Sequence, residues 1–401
     1  MHELTYAVVA LALSFDFVNG FHDAANAIAT IVATRVLTPV QAVGMSALGN
    51  FSGMLFGTVF GVLIAETVGK GIIDTGIIAG STGTYLILAV LIGAIGWDLI
   101  TWFLGLPTSS SHALVGGLVG AGLACAGVPA LIGPTDIGSV EMFIVFTMLG
   151  AIIGMALMLA AAGREKGRHL KQALIFGFIG GAVIAAALAG WYFKGHLKGL
   201  LTTIIFMIVS PLVGLGVGYI ITALIIRAFR RKKARTVNYY FRKLQLVSSF
   251  FYSLMHGTSD AQKVMGIITI VLVFDGTISS FHVPLPVVVA CFSAISLGTF
   301  FGGWRIVRTM ASRITRLHPY QGFSAETGGG LVLLMNALFG IPVSTTHVIS
   351  SSIMGVGATK RLSAVRWGVA RSVIWAWILT IPMSALMSFV SFKVIRLLGY
   401  V

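Results

Sequence analysis

Gly105-Leu106-Pro107-Thr108-Ser109-Ser110-Ser111-His112 and Gly340-Ile341-Pro342-Val343-Ser344-Thr345-Thr346-His347 are one phrase written twice in the same chain. Each starts with Gly-x-Pro, runs into a block of hydroxyl side chains and ends on His. The match continues to Gly120 and Gly122 opposite Gly355 and Gly357. A second phrase precedes each: Gly20-Phe21-His22-Asp23-Ala24-Ala25-Asn26 aligns with Gly257-Thr258-Ser259-Asp260-Ala261-Gln262-Lys263. Asp23 and His112 are 89 residues apart, Asp260 and His347 87. Apolar helices alike by chance would share Leu, Val and Ala. An ordered repeat of Asp and Pro-x-Ser-x-x-His marks an internal duplication.

Both phrases sit in apolar surroundings. Of 401 residues 57% are hydrophobic and 10% charged, with mean hydropathy +0.97, whereas a soluble domain carries about 25% charged residues. This excludes an ordinary soluble enzyme, a disordered chain and a disulfide scaffold. It points to an all-α polytopic membrane protein, in which the 49 glycines let helices pack closely or break. A spanning helix needs roughly 20 apolar residues. The runs are 4–34, 39–65, 84–104, 106–127, 140–162, 172–193, 200–226, 246–274, 285–304, 325–339, 341–358 and 367–398, twelve helical segments. Within 84–127 and within 325–358 only Gly-x-Pro separates two runs. Each pair is expected to be a helical hairpin that enters and leaves on one side, which is tolerated where the backbone is buried or lines a cavity.

Basic residues orient the chain. With both termini outside, the inner loops hold Arg35 and the basic residues of 164–171, 227–243, 305–316 and 360–371, twenty-one of the 27 Lys+Arg. The outer loops hold Lys70, Lys194, Lys198, Lys393 and Arg396, and Lys263 alone lies within a span. That split is the positive-inside pattern. It accounts for the net charge of +15 without nucleic acid, and basic clusters facing anionic lipid are a compatible second role. The first repeat (1–162) then starts outside and the second (246–401) inside. A central helix pair (163–229) and a basic cytoplasmic linker (230–245) lie between them. This is an inverted-topology repeat, which in secondary transporters puts the site near the midplane at broken helices. Breaks are expected at Gly20, Gly257 and the two prolines. Met1-His2-Glu3 carries no basic n-region, so the first run is expected to stay as a helix. Cys125 and Cys291 have no metal-ligand spacing and read as packing residues.

The repeated polar residues define a chemistry. Asp23 and Asp260 are intramembrane carboxylates, each costing about 2.5–3.5 kcal/mol on insertion scales, and their duplication favours a shared role over a locally satisfied buried Asp. Thr108, Ser109, Ser110 and Ser111, and Ser344, Thr345 and Thr346, are expected to occupy the first turn of helices led by Pro107 and Pro342. There, hydroxyls join unpaired N–H groups and a positive dipole end into an anion site. Plain N-capping is the alternative for either cluster alone. Two ionised Asp plus a phosphate-like anion, against Lys263 only, leave a deficit of positive charge that low dielectric does not tolerate. The site should therefore take Na+ with the anion, or protons on the carboxylates. Asn26, three residues after Asp23, is a candidate cation ligand. Asn50 after Gly49 and Thr299 after Gly298 are a further matched pair. Glu326 is a gate or ion-access residue, or a solvated helix-start Glu. Asp16 has no acidic counterpart, since Ser253 aligns with it. His112 and His347 are expected to hydrogen-bond hairpin backbone.

At these residues the chain resembles the inorganic phosphate transporter (PiT) family. Asn19 to Ala27 looks like its first signature and His256 to Lys263 like its second; Ile341 to His347 and Ala325-Glu326-Thr327 are also similar to family segments. The resemblance covers nearly the whole chain. It implies a cation-coupled phosphate symporter of twelve helices, a homodimer in the plasma or inner membrane, with no enzymatic activity and no cofactor beyond the coupling ion, Na+ or H+. By it, phosphate would be held by Thr108, Ser109, Ser110, Ser344, Thr345 and Thr346 with Asp23, Asp260 and Lys263. Sodium would be held among Asp23, Asn26, Asn50, Ser110, Ser111, Asp260, Thr299, Thr345 and Thr346. Lys263 stands where the first signature has Asn26, so it either replaces a cation or touches phosphate. Proton-coupled phosphate or metal-phosphate symport and sulfate transport are the alternatives within the fold.

Two readings come from other classes. An intramembrane serine protease needs one nucleophile with one base in reach, not two matched hydroxyl clusters each with an Asp. An anion channel would need no ion gradient.

Overall fold

The computed structural model describes residues 2–78, 80–133, 137–162, 177, 181, 185, 189, 199–313 and 315–401. Among these it is all helix: α1 (His2–Ala33), α2 (Pro39–Phe60), α3 (Leu63–Lys70), α4 (Gly80–Leu104), α5 (Ser110–Ala126), α6 (Ile137–Ala162), α7 (Leu200–Phe229), α8 (Ala234–Phe274), α9 (Leu285–Phe301), α10 (Trp304–Arg313), α11 (Pro319–Phe339), α12 (Thr345–Ala358) and α13 (Trp367–Leu397). The segment expected at 172–193 lies almost entirely outside the described residues. Six helices (α1, α2, α4, α7, α8 and α13) are long and apolar enough to cross a bilayer, and α9 with α10, bent by 72° at their junction, makes a seventh. These are counts among the described residues; of the other expected segments α5 and α12 are shorter, at 17 and 14 residues. Large apolar side chains such as Leu55, Leu104, Ile208, Leu212 and Ile378 are exposed on the outside, while Asp23, Asp260, Glu326 and most hydroxyls are buried. That distribution is the inverse of a soluble protein and suits a lipid-facing exterior.

Both signature helices run unbroken through the glycines expected to interrupt them. Their small size serves close approach instead. A Cβ on Gly20 would come within 2.2 Å of the Ile295 carbonyl oxygen, and one on Gly257 within 2.5 Å of the Asn50 backbone. Matched pairs result: α1 packs on α9 and α8 packs on α2. The breaks fall elsewhere, at Gly61 (φ +87°) between α2 and α3 and at Gly302 (φ +68°) between α9 and α10.

The linker also differs from expectation. Helix resumes at Ala234, so residues 234–245 are the start of the 41-residue α8 rather than a loop. Basic residues do not break helices, and this stretch has a core anchor: Phe241 is buried, with ring centroids 5.4 Å from both Phe229 and Phe323. Arg242 ties it to the end of α1 through the Arg35 carbonyl (2.9 Å). Nor does α7 stand apart from the repeats. It packs on α12 as α13 packs on α5, and each of the two packing helices carries an internal proline, Pro211 in α7 and Pro382 in α13. A Cβ on Gly355 would sit 2.0 Å from the Leu215 carbonyl oxygen, and one on Gly120 1.9 Å from that of Ala385. Ser352 donates to the Gly214 carbonyl and Ser384 to the Ala113 carbonyl, both at 2.9 Å. Such small-residue contacts with interhelical hydroxyl bonds are how helices associate in lipid.

Candidate functional site

The two Gly-x-Pro phrases adopt the same local structure. Gly105 (φ +67°) ends α4 and Gly340 (φ +70°) ends α11. Gly105 and Leu106 donate to the Trp102 and Thr101 carbonyls, and Gly340 and Ile341 to those of Ala337 and Asn336. This is a left-handed helix stop. Contrary to the sequence expectation, the prolines do not open the next helices. They stand two residues before the N-caps, Ser109 and Ser344, whose hydroxyls accept from the His112 and His347 amides at 3.2 and 3.1 Å. The tight stop uses up the residues next to each proline. Ser110 and Ser111, and Thr345 and Thr346, then form the first turns, where N–H groups have no intrahelical partner. The tips of α5 and α12 meet: the His112 and His347 rings are 4.2 Å apart, edge to face. The expected hydrogen bond to hairpin backbone is not formed by the His112 imidazole, neither of whose nitrogens has a partner among the described residues, and His347 Nε2 likewise has none.

The carboxylates of both halves arrive at this junction. Thr345 Oγ1 lies 3.0 Å from Asp260 Oδ2 and 3.3 Å from Asp23 Oδ2. Thr346 Oγ1 lies 3.3 and 3.2 Å from the two oxygens of Asp23 and accepts from Asn26 Nδ2 at 2.9 Å. Lys263 donates to Asp260 Oδ1, to Ser111 Oγ and, at 2.9 Å, to the Val343 carbonyl. Everything is enclosed: Asp23, Asp260 and Lys263 are 2%, 0% and 3% exposed. Asp23, His256 and Asp260 each offer a ligand atom within 4.8 Å of one another, a spacing that could hold a small cation.

The remaining predicted residues fall around this centre. Thr108 donates to Thr101 (2.7 Å) and lies 3.4 Å from His22 Nε2, whose Nδ1 donates to Asp23 at 2.9 Å. Ser110 Oγ is buried with no partner among the described residues. Asn50 and Thr299 come together, Nδ2 donating to Oγ1 at 2.8 Å, and Asn50 Oδ1 accepts from His256 Nδ1 at 3.1 Å. His256 in turn places Nε2 3.3 Å from Asp260. Asn50 thus orients the imidazole that lies beside Asp260.

Glu326 is fully buried, not a solvated helix-start residue, because α11 begins seven residues earlier at Pro319. It belongs to a second cluster. Oε1 accepts from Thr30 (2.6 Å) and Gln245 (3.0 Å), Oε2 from Ser248, and Thr34 donates to Gln245 (2.9 Å). Sequence reading passed over His22, His256, Thr101, Gln245 and Ser248. The signal for the two histidines was their place inside the signatures, one and four residues before the Asp; the others carried none. Asp98, also passed over, is fully buried on α4 one turn before Thr101. Asp16 is likewise buried.

A multi-pass helical membrane protein whose buried polar centre is assembled from two copies of one motif has the anatomy of a carrier. The chain belongs to the phosphate transporter family, whose profile matches residues 19–178 and 170–388. It is 43% identical over 386 residues to a probable low-affinity inorganic phosphate transporter of Rhizobium meliloti (strain 1021), covering 96% of this chain and 94% of that one. A probable low-affinity inorganic phosphate transporter of Bacillus subtilis (strain 168) is 35% identical over 396 residues, covering 98% of each chain. Among solved structures, one described as the sodium-dependent phosphate transporter matches with a TM-score of 0.70 at 26% identity, over 98% of this chain and 99% of that chain.

Proposed function

We propose that this chain is a secondary active transporter carrying inorganic phosphate in symport with Na+. The observation that carries the reading is Thr345, whose hydroxyl lies within 3.3 Å of a carboxylate from each half, in a buried site with one ammonium. Counting the imidazoles as neutral, Asp23, Asp260 and Lys263 leave the site negative. A phosphate anion cannot enter such a site in low dielectric unless mobile cations come with it. The description of the solved relative as sodium-dependent supports Na+ in that role.

In this reading the oxygen atoms of Asp23, Asn26, Thr345 and Thr346 hold Na+. Phosphate lies between the first turns of α5 and α12, where Thr108, Ser109, Ser110 and Ser344 and the helix N-termini supply donors. Binding is ordered: Na+ neutralises the carboxylates, phosphate docks, and the nearly neutral loaded site crosses as one bundle moves against the other. The architecture proposed with it is the inverted-topology repeat with both termini outside, hairpins around 105–109 and 340–344, Glu326 as a gate, and a homodimer in the cell membrane.

Uptake of labelled phosphate into proteoliposomes tests this, with an inward Na+ gradient, an inward proton gradient or neither, and sulfate as competitor. Uptake that requires the Na+ gradient and resists sulfate is expected. Proton-driven uptake would move coupling to titrating carboxylates, and equal uptake without a gradient would make the chain a channel.

A further inference from the structure

The two halves differ at the residue three positions after the signature carboxylate: Asn26 follows Asp23, and Lys263 follows Asp260. Their contacts across to the other half fall on aligned residues. Asn26 reaches across to Thr346 of the second half, and Lys263 reaches across to Ser111 of the first, which is the residue aligned with Thr346. Lys263 thus links its own Asp directly to the opposite helix tip, whereas Asn26 reaches Asp23 through the Thr345 and Thr346 hydroxyls.

The Lys263 ammonium is surrounded by a carboxylate oxygen, a hydroxyl oxygen and a backbone carbonyl oxygen. That oxygen-only shell is what a hard cation selects. On the other side Asn26 brings no charge. Its Oδ1 is buried, with no partner among the described residues, although the residue is 1% exposed. One helical turn away is the Asp23 carboxylate with the Thr345 and Thr346 hydroxyls. An unpartnered amide oxygen, a carboxylate and two hydroxyls form an oxygen set without a protein cation.

We infer that Lys263 is a built-in coupling cation. Its ammonium occupies, in the second half, the seat that a mobile Na+ takes in the first, so transport uses one Na+ fewer than two equivalent seats would require. The inference rests on the sodium-coupled reading above and fixes the number of sodium seats in it. A tethered charge cannot leave, so the Asp260 seat stays neutralised through the whole cycle, while the Asp23 seat is charged when empty and neutral when loaded. A second Na+ beside Asp260 would meet the ammonium at ion-pair distance and be repelled.

The test is the Na+ dependence of labelled-phosphate uptake in proteoliposomes for the wild type, Lys263→Asn and Lys263→Arg, with equilibrium binding of labelled Na+ to the same purified proteins. Hill coefficients are bounded by the number of sites, so the wild type should give about 1 and Lys263→Asn about 2, with uptake recovered at high Na+. Bound Na+ should double in Lys263→Asn. Lys263→Arg, which keeps the charge, should keep the wild-type coefficient. A Lys263→Asn protein that is folded and binds Na+ in wild-type amount and with a wild-type coefficient overturns the inference. So does a wild type that already shows a coefficient of about 2. If no variant responds to Na+ at all, the sodium-coupled reading itself fails, an outcome distinct from the other two.

Discussion

The Asp23 corner and the Asp260 corner are built from aligned residues and yet are electrostatically unlike. Asp260 is permanently paired with Lys263 and backed by His256, 3.3 Å away. Among the described residues Asp23 has uncharged or titratable hydrogen-bond partners: His22, Thr345 and Thr346. Duplication reproduced the scaffold, with the same glycine approaches, helix stops and N-caps, while a single side chain divided the labour. In the proposed cycle one corner is fixed and the other exchanges its cation. Symmetric architecture therefore does not imply symmetric ion sites.

The largest effect that could break this comparison comes from neutralising each carboxylate in turn. Asp260→Asn leaves the buried Lys263 ammonium without its partner, a loss of about 3–5 kcal/mol in comparable buried pairs. Thermal unfolding of the detergent-solubilised protein should show a marked drop for Asp260→Asn and a smaller one for Asp23→Asn, which strands no cation. Both should abolish phosphate uptake. Equal destabilisation would mean that the Lys263 pair is not the distinguishing feature.

Next in size are the close approaches that hold the two tips in place. Gly120→Val and Gly355→Val push side chains into the Ala385 and Leu215 carbonyls, and overpacking of this kind costs about 1–3 kcal/mol or more. The two should lower the melting temperature by similar amounts. A large effect at only one would show that α7 and α13 are not equivalent supports.

A smaller effect separates the hydroxyls. Thr346→Val removes one hydroxyl oxygen from the Asp23 corner and should raise the Na+ concentration for half-maximal uptake about 10-fold, in line with a lost hydrogen bond to a charged group at about 1.5–3 kcal/mol. Ser111→Ala removes a ligand of the tethered ammonium and should leave that concentration within about 3-fold, since its loss falls on Lys263, which keeps two other partners. A reversed order in a Na+ titration of uptake would contradict the assignment. The smallest effect is expected at Arg305, which sits at the rim of a cavity of about 380 Å³ beside Gly105 and lies 5.1 Å from the Trp102 ring. Arg305→Ala should slow uptake about twofold at low ionic strength and not at high salt, as for an exposed steering charge.

Much of this site could be read without coordinates because its parts recur. Asp23 and Asp260, and the hydroxyls of 108–111 and 344–346, stand out twice in an apolar background, and all of them lie around one buried junction. What escaped reading was tertiary. Gly20 and Gly257 look like hinges in sequence, but a glycine that admits a neighbouring helix and one that bends its own helix leave the same letter. The start of α8 looks like a charged linker, since only the packing of Phe241 makes it a helix. Thr101 and Gln245 meet His22 and Glu326 from about 80 residues away, and no local pattern marks such pairs. The repeat boundary was obscured for the same reason: α7 supports α12 as α13 supports α5, a swap across halves that spacing does not encode.

The central claim is that both halves build one anion site, not one each. Equilibrium binding of labelled phosphate to the purified protein at saturating Na+ tests it directly, for the wild type, Asp23→Asn and Asp260→Asn. One phosphate per chain, lost in full in either variant, is the predicted result. Two phosphates per chain, with each substitution removing one, would contradict it.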